Sequence, residues 1–383
     1  MGQDLDGAWE RCVVYQLNGG RVTRTSKGSM REVGLATFEA LEYDAREAAD
    51  LIATVLPEFA NAFAKGEVRV GSRRIEKARP DCPLSILHEH FLVVNAMISA
   101  GDGLIPVRWQ HAGDGAIHQL SLDMRAELRE EMVAALAGDR LDGPLECPVI
   151  LAPVLAAQLI HECIGHSSEA DNYLSYVQPR GLGLGYQWCK YPINVYDDPT
   201  IEGHRASYLF DDDGQPARGV QVVTNGLWTD LLTSAEFAER VKRPASHGRR
   251  VVGARRSLPR MANMWLSGGE EPLEDLIGKV DKGIFCGGTW GGGSGDLKFV
   301  IRPAFGRFIE SGKLINRYVN RFDIFGDKRE AIGAIAGSSA AVNWFSPVFG
   351  CDKFGQDNLP VTFGAPAVLM TKASLRPIKN GCR

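Results

Sequence analysis

The feature that most constrains this chain is the passage Pro153-Val154-Leu155-Ala156-Ala157-Gln158-Leu159-Ile160, which runs directly into His161-Glu162-Cys163-Ile164-Gly165-His166. Proline at the start and apolar residues on every side describe a helix that belongs inside a core. Its C-terminal end carries two histidines and a glutamate, which are residues for chemistry rather than for packing. The fold therefore has to wrap this helix while leaving its end open to a site.

In the familiar HExxH arrangement the imidazoles are four residues apart, about 40° around a helix of 3.6 residues per turn, and both reach one ion. Here the spacing is five. On a regular helix that separates the histidines by about 140°, so convergence requires a widened turn or an early helix end. Gly165 before the second histidine tolerates either distortion and predicts a bend. A catalytic zinc takes three protein ligands and keeps a fourth position for water, so one ligand comes from elsewhere. Spacing leaves Cys351, Cys286, Cys189, Glu169, Asp171 and the remaining histidines all open.

Around this helix the chain reads as α+β, a two-region arrangement with residues 1–146 as an N-terminal α/β region and 147–383 as a β-rich second domain. In the first region Cys12-Val13-Val14-Tyr15 predicts a strand, and Leu51, Val55, Phe59 and Phe63 form a helical stripe at a spacing of four. Leu122 to Leu141 predicts a second helix, with Glu127, Arg129, Glu130 and Glu131 on the polar face. His88-Glu89-His90 sits among Leu84, Leu87, Phe91, Val94 and Ile98, a helical spacing that argues against a metal site. The second region reads as a mixed, antiparallel-rich sheet. Phe308 and Tyr318 lie in the arms of a hairpin turning at Ser311-Gly312-Lys313, and helices are expected at Pro272 to Val280 and Lys328 to Ala341.

Composition excludes several functions. With 43 basic and 47 acidic residues interspersed and a net charge of -4, no cationic face points to nucleic acid or to a membrane surface. The longest mostly apolar run, Val149 to Ile160, is too short to span a bilayer, and the polar opening Met1-Gly2-Gln3-Asp4 does not read as a secretory signal. A cytoplasmic protein is expected. Eight scattered cysteines without a CxxC pair fit buried thiols rather than a disulfide framework. The glycine-dense Gly287 to Gly295 lacks the lysine and hydroxyl of a phosphate loop, and Asp211-Asp212-Asp213-Gly214 fits a hairpin turn better than a calcium loop.

HECIGHSSEAD is similar to the HExxxH helix of the TldD/PmbA family, and further matches follow in order: Val195-Tyr196-Asp197-Asp198-Pro199-Thr200, Asp211-Asp212-Asp213-Gly214, Arg260-Met261-Ala262-Asn263 and Gly292-Gly293-Ser294-Gly295-Asp296. Gly350-Cys351-Asp352-Lys353-Phe354-Gly355-Gln356 and Pro360-Val361-Thr362-Phe363-Gly364-Ala365-Pro366 complete the set, over roughly residues 148 to 376. The resemblance implies zinc held by His161, His166 and Cys351, with Glu162 as general base and Glu169 and Asp171 supporting the ligands. Asp352 departs from the glycine usual after that cysteine. The implied activity is zinc-dependent hydrolysis of amide bonds in small or unfolded peptides, inside a homodimer or a heteromer with a paralogue. The alternatives are a tailoring enzyme for one peptide-derived metabolite and a non-catalytic partner subunit. Tyr186, Trp188, Trp290 and Trp344 are candidates to line the cavity or an interface, against ordinary core packing.

Overall fold

The computed structural model describes residues 7–18, 21–27, 63–79, 82–100, 103–113 and 122–378. Gly7–Asn18, Arg21–Lys27, Phe63–Arg79, Cys82–Ala100 and Gly103–Gly113 form an antiparallel five-stranded sheet. The Cys12–Tyr15 strand is as the sequence predicts. Leu51, Val55 and Phe59 lie outside the described residues, and Phe63 opens a strand instead of closing a helical stripe.

The expected helix around His88 and His90 is a strand. Cys82–Ala100 is paired along both edges, with Phe63–Arg79 on one side and Gly103–Gly113 on the other. A short apolar run fits either period, and two flanking strands that satisfy its backbone decide the matter. Glu89, Phe91 and Val93 are buried, as alternation along one face requires. The Glu89 carboxylate is clamped by Arg73 and Arg205, and Arg205 also donates to the carbonyls of Pro347 and Val348. This network ties the sheet to the segment just before Cys351.

The rest of the chain builds two more large sheets. A six-stranded sheet runs in the order Leu227–Trp228, Val220–Thr224, Val195–Asp197, Asn263–Leu266, Thr362–Ala365, Asn343–Phe345. A ten-stranded sheet has Leu145–Leu151 near its middle, between Lys282–Gly287 and Val368–Pro377. The hairpin of Phe305–Glu310 and Lys313–Asn320 turns through Ser311 and Gly312, both at positive φ. The apolar helix Pro153–Ile160 touches strands of both sheets, and Leu155, Ala156, Ala157, Leu159 and Ile160 are buried. The mixed α+β class read from the sequence is the one observed.

Two expected helices are shorter than their patterns suggest. Leu273–Gly278 replaces Pro272 to Val280, and Lys328–Gly333 replaces Lys328 to Ala341, because Ile335–Ser338 pairs as a strand with Val368–Pro377. Leu122–Ala137 forms as predicted but ends at Gly138, where a Cβ would lie 2.4 Å from the Ala134 carbonyl oxygen. Its Glu131, read as part of a polar face, is 3% exposed and accepts from Trp290 Nε1 at 3.2 Å and from the Arg108 amide at 3.3 Å.

Burial pushes Glu131 up to about 8 from its ordinary 4.5, the two donors offsetting only part of the cost. The folded state then keeps a proton that the unfolded chain releases above its own pKa. The stability this contributes is complete below about pH 4.5 and is lost as pH rises through about 8. Stability measured by urea denaturation is expected to fall across that window, by on the order of 3–5 kcal/mol at ~1.4 kcal/mol per pH unit. Glu131→Gln should flatten the slope. An unchanged slope in that variant would assign it to another group.

Candidate metal centre

The two histidines converge because the helix widens. Residues His161–Gly165 form a single π turn in which the His166 amide bonds the His161 carbonyl, so positions five apart fall into line. The imidazole centroids are 4.7 Å apart and the rings are nearly perpendicular. Gly165 serves a different purpose from the expected one. Its φ and ψ are those of an ordinary helix, and a Cβ there would sit 2.1 Å from Met261 Sδ. Close packing on Met261, rather than backbone freedom, requires the glycine.

Cys351 arrives from a hairpin, Cys351–Lys353 paired with Gln356–Leu359, whose turn holds Phe354 and Gly355 at positive φ. Gly350 lets the two strands of this hairpin close on each other, since a Cβ would meet the Leu359 carbonyl oxygen at 1.9 Å. Alternation buries Cys351 and Lys353 and exposes Asp352 between them. Asp352 Oδ1 accepts from the Asn358 amide at 2.7 Å, so the residue in place of the usual glycine braces the turn.

One ligand atom each from His161, His166 and Cys351 falls within 4.8 Å of the others, the only such group of three His, Cys, Asp or Glu side chains among the described residues. Cys351 Sγ is 3.6 Å from His166 Nε2. Of the other thiols considered from sequence, Cys189 and Cys286 are buried in the apolar core and take no part. The opposite nitrogen of His166, Nδ1, bonds Glu169 Oε2 at 2.9 Å, which leaves Nε2 directed at the cysteine. His161 Nδ1 is buried without a partner.

A chain of charges stands behind the histidine. Lys353 Nζ donates to Glu169 Oε2 at 2.9 Å, to Asp171 Oδ1 at 2.6 Å and to the Pro259 carbonyl at 2.9 Å. Asn172 Nδ2 donates to the same Glu169 oxygen and to the His166 carbonyl. Arg260 donates to the Cys351 carbonyl. Burial works against Glu169 ionisation, yet Lys353 and His166 hold its carboxyl well below the usual range. Burial also opposes charge on Cys351 and His166. The imidazoles nevertheless keep the thiol far below its ordinary value, and without an ion the thiolate with Glu169 raises His166 to about 10, through a proton on Nε2 that a bound metal would displace. A deprotonated thiol beside two imidazoles is the donor set of a zinc site with one position left over, so the residues present fit the ion.

Glu162 lies beside this group. Its Oε1 accepts from Gln158 Nε2 at 2.8 Å, one helical turn back, while Oε2 is buried, unpartnered and 3.9 Å from His166 Nε2. All four residues line a cavity of about 820 Å³ that also takes in the glycines 291–293, Trp290, Lys328, Phe349 and Phe354. Trp290 is thus a lining residue, whereas Trp188 is core, packed against Trp228 and Tyr186. Trp344 is 39% exposed and rests on Trp265 and His204, and the Asp211 run is a turn whose Oδ1 caps the amides of Asp213 and Gln215. Sequence reasoning missed Gln158, Lys353 and Lys328. Two of them had a signal: Gln158 lies four residues before Glu162 on one helix face, and Lys353 alternates with the cysteine on a short strand.

Residues 144–376 match the PmbA/TldA metallopeptidase C-terminal domain. Among curated proteins, the chain is 29% identical over 225 residues to a metalloprotease of Synechocystis, covering 58% of this chain and 48% of that protein. It is 35% identical over 170 residues to a metalloprotease of Methanocaldococcus jannaschii, covering 43% of this chain and 37% of the relative. A protein named as a zinc metalloprotease TldD homolog in Saccharolobus solfataricus is 27% identical over 254 residues, 64% of this chain and 55% of its own. The chain thus spans about half the length or less of the first two relatives. Among solved structures, TldE from Thermococcus kodakarensis superposes with a TM-score of 0.71 at 13% identity, covering 97% of this chain and 96% of that one. A putative modulator of a DNA gyrase from Thermotoga maritima gives 0.67 at 16% identity, covering 97% and 95%. These two share the fold.

Proposed function

Because the chain belongs to the PmbA/TldD metallopeptidase family, we propose that it is a zinc-dependent hydrolase of amide bonds in small or unfolded peptides. The observation that carries this is the cluster of His161, His166 and Cys351 donors beside a glutamate oxygen, Glu162 Oε2, that nothing in the protein satisfies. The names of the relatives as metalloproteases support it.

In this reading His161, His166 and Cys351 hold the ion. When bound, zinc supplies Lewis acidity, polarising a carbonyl and making water a better nucleophile at neutral pH. The chain does the rest. Glu162, fixed at Oε1 by Gln158, takes the attacking water's proton on Oε2 and returns it to the leaving amine. Glu169 keeps the proton of His166 on Nδ1, so that Nε2 offers its lone pair, and Lys353 and Asn172 hold Glu169 in place. Tyr176, Phe349 and Phe354 line the cavity while more than a third exposed. Such apolar surface at a mouth supports enclosure by a partner, a second copy of this chain or a paralogue. The placement is cytoplasmic in the same reading; no helix among the described residues is long and apolar enough to cross a membrane.

Elemental analysis of protein purified without chelator is expected to give about one zinc per chain. Cys351→Ala should lower zinc affinity by at least ~10- to 100-fold, since it removes the anionic ligand. Metal-free protein with full peptidase activity would overturn the proposal.

A further inference from the structure

Lys328 is buried at 2% exposure and belongs to the wall of the same cavity as Glu162 and His166. Its ammonium is poorly satisfied. Nζ bonds Ser167 Oγ at 3.4 Å, and Ser167 has already committed its own proton to the Cys163 carbonyl at 2.6 Å. Among the described residues no carboxylate lies within 4 Å of Nζ, whereas buried Lys353 has two and buried Arg205 has Glu89. Glu162 does not fill the gap, because Gln158 holds one of its oxygens and the other lies near His166.

A buried ammonium carries three donors and costs free energy until acceptors and an opposite charge meet it. The cavity is where these can come from. We propose that Lys328 anchors a carboxylate of the bound substrate, so that the site selects anionic peptides over neutral ones. This rests on the peptide-hydrolase reading of the cavity. Burial lowers the pKa of Lys328, opposed by acidic groups farther off, including Glu162, Glu169 and Asp296, and a bound carboxylate would relieve that cost. The carboxylate could be a peptide's free C-terminus or an acidic side chain. Both offer the same two oxygens.

The test is equilibrium binding by calorimetry to the full chain as purified, with zinc, using acetyl-trialanine, its C-terminal amide, and that amide with Glu or Gln in the central position. The wild type should bind at least one carboxylate peptide roughly 10- to 100-fold more tightly than its neutral counterpart, the range for a charge-assisted hydrogen bond in a dry site. The free-acid pair and the Glu/Gln pair tell which carboxylate is read. Lys328→Met should erase the preference while leaving affinity for the neutral peptides, which also shows that the variant folds. Lys328→Gln is read in the same way if the methionine variant does not fold. A preference that survives in either variant would place the carboxylate elsewhere, on the metal for example, and overturn the proposal. Equal affinity of acid and amide in the wild type, or no measurable binding of either, overturns it too. Acid-selective binding without any hydrolysis would instead sink the peptidase reading and leave the anchor standing.

Discussion

Glu162→Gln is expected to lower kcat on an unstructured peptide by about 10²- to 10⁴-fold, the usual worth of a general base, while zinc content stays at the wild-type level. The geometry makes this substitution unusually clean. The amide oxygen can keep the bond from Gln158 Nε2 at the Oε1 position, so the side chain stays where it is. What is lost is the ability of the other atom, Oε2, to accept a proton. That atom has no hydrogen-bond partner in the protein and lies 3.9 Å from His166 Nε2, so the substitution breaks no hydrogen bond. Activity of the variant within tenfold of wild type would remove Glu162 from the chemistry. Loss of zinc as complete as in Cys351→Ala would make it a ligand instead.

The second large effect is structural. Lys353→Met is expected to destabilise the protein by about 3–5 kcal/mol, the cost of removing one partner from a buried charge group. Lys353 neutralises Glu169 and Asp171 together, and all three side chains are at most 9% exposed. Without the ammonium two carboxylates share a buried site, and the Pro259 carbonyl loses its donor as well. Burial already raises Asp171 despite the lysine, so the removal strikes a group with little reserve. The loss should reach the metal centre, because Glu169 orients His166. Urea denaturation with zinc titration checks both expectations. A loss below ~1 kcal/mol, in the range of an exposed ion pair, would mean that the pocket opens to water readily.

Much of the candidate centre was legible in the residues themselves. The five-residue spacing of His161 and His166 required a widened turn or an early helix end, and of the two the backbone adopts a π turn. Cys351 could be named only through the ordered family motifs, since nothing local relates it to a histidine 185 positions away. The same limit hid Lys328, while Gln158, one helical turn before Glu162, and Lys353, alternating with Cys351, lay within local reach of residues already named.

Local patterning determined the turns, the hairpin at Ser311 and Gly312 and the buried helix from Pro153. Such features depend on neighbours one to five residues apart, and a side chain's periodicity is fixed by its own backbone. Tertiary structure decided the rest. Cys82–Ala100 is a strand because two others supply its hydrogen bonds, and Lys328 to Ala341 breaks after Gly333 because a distant strand captures Ile335–Ser338. Glu131 is a buried acid and Gly165 a packing glycine because of what lies against them, Trp290 and Met261. Burial and pairing are properties of contacts between remote segments, and a charged residue on a helix reads the same in sequence whether it meets water or a core.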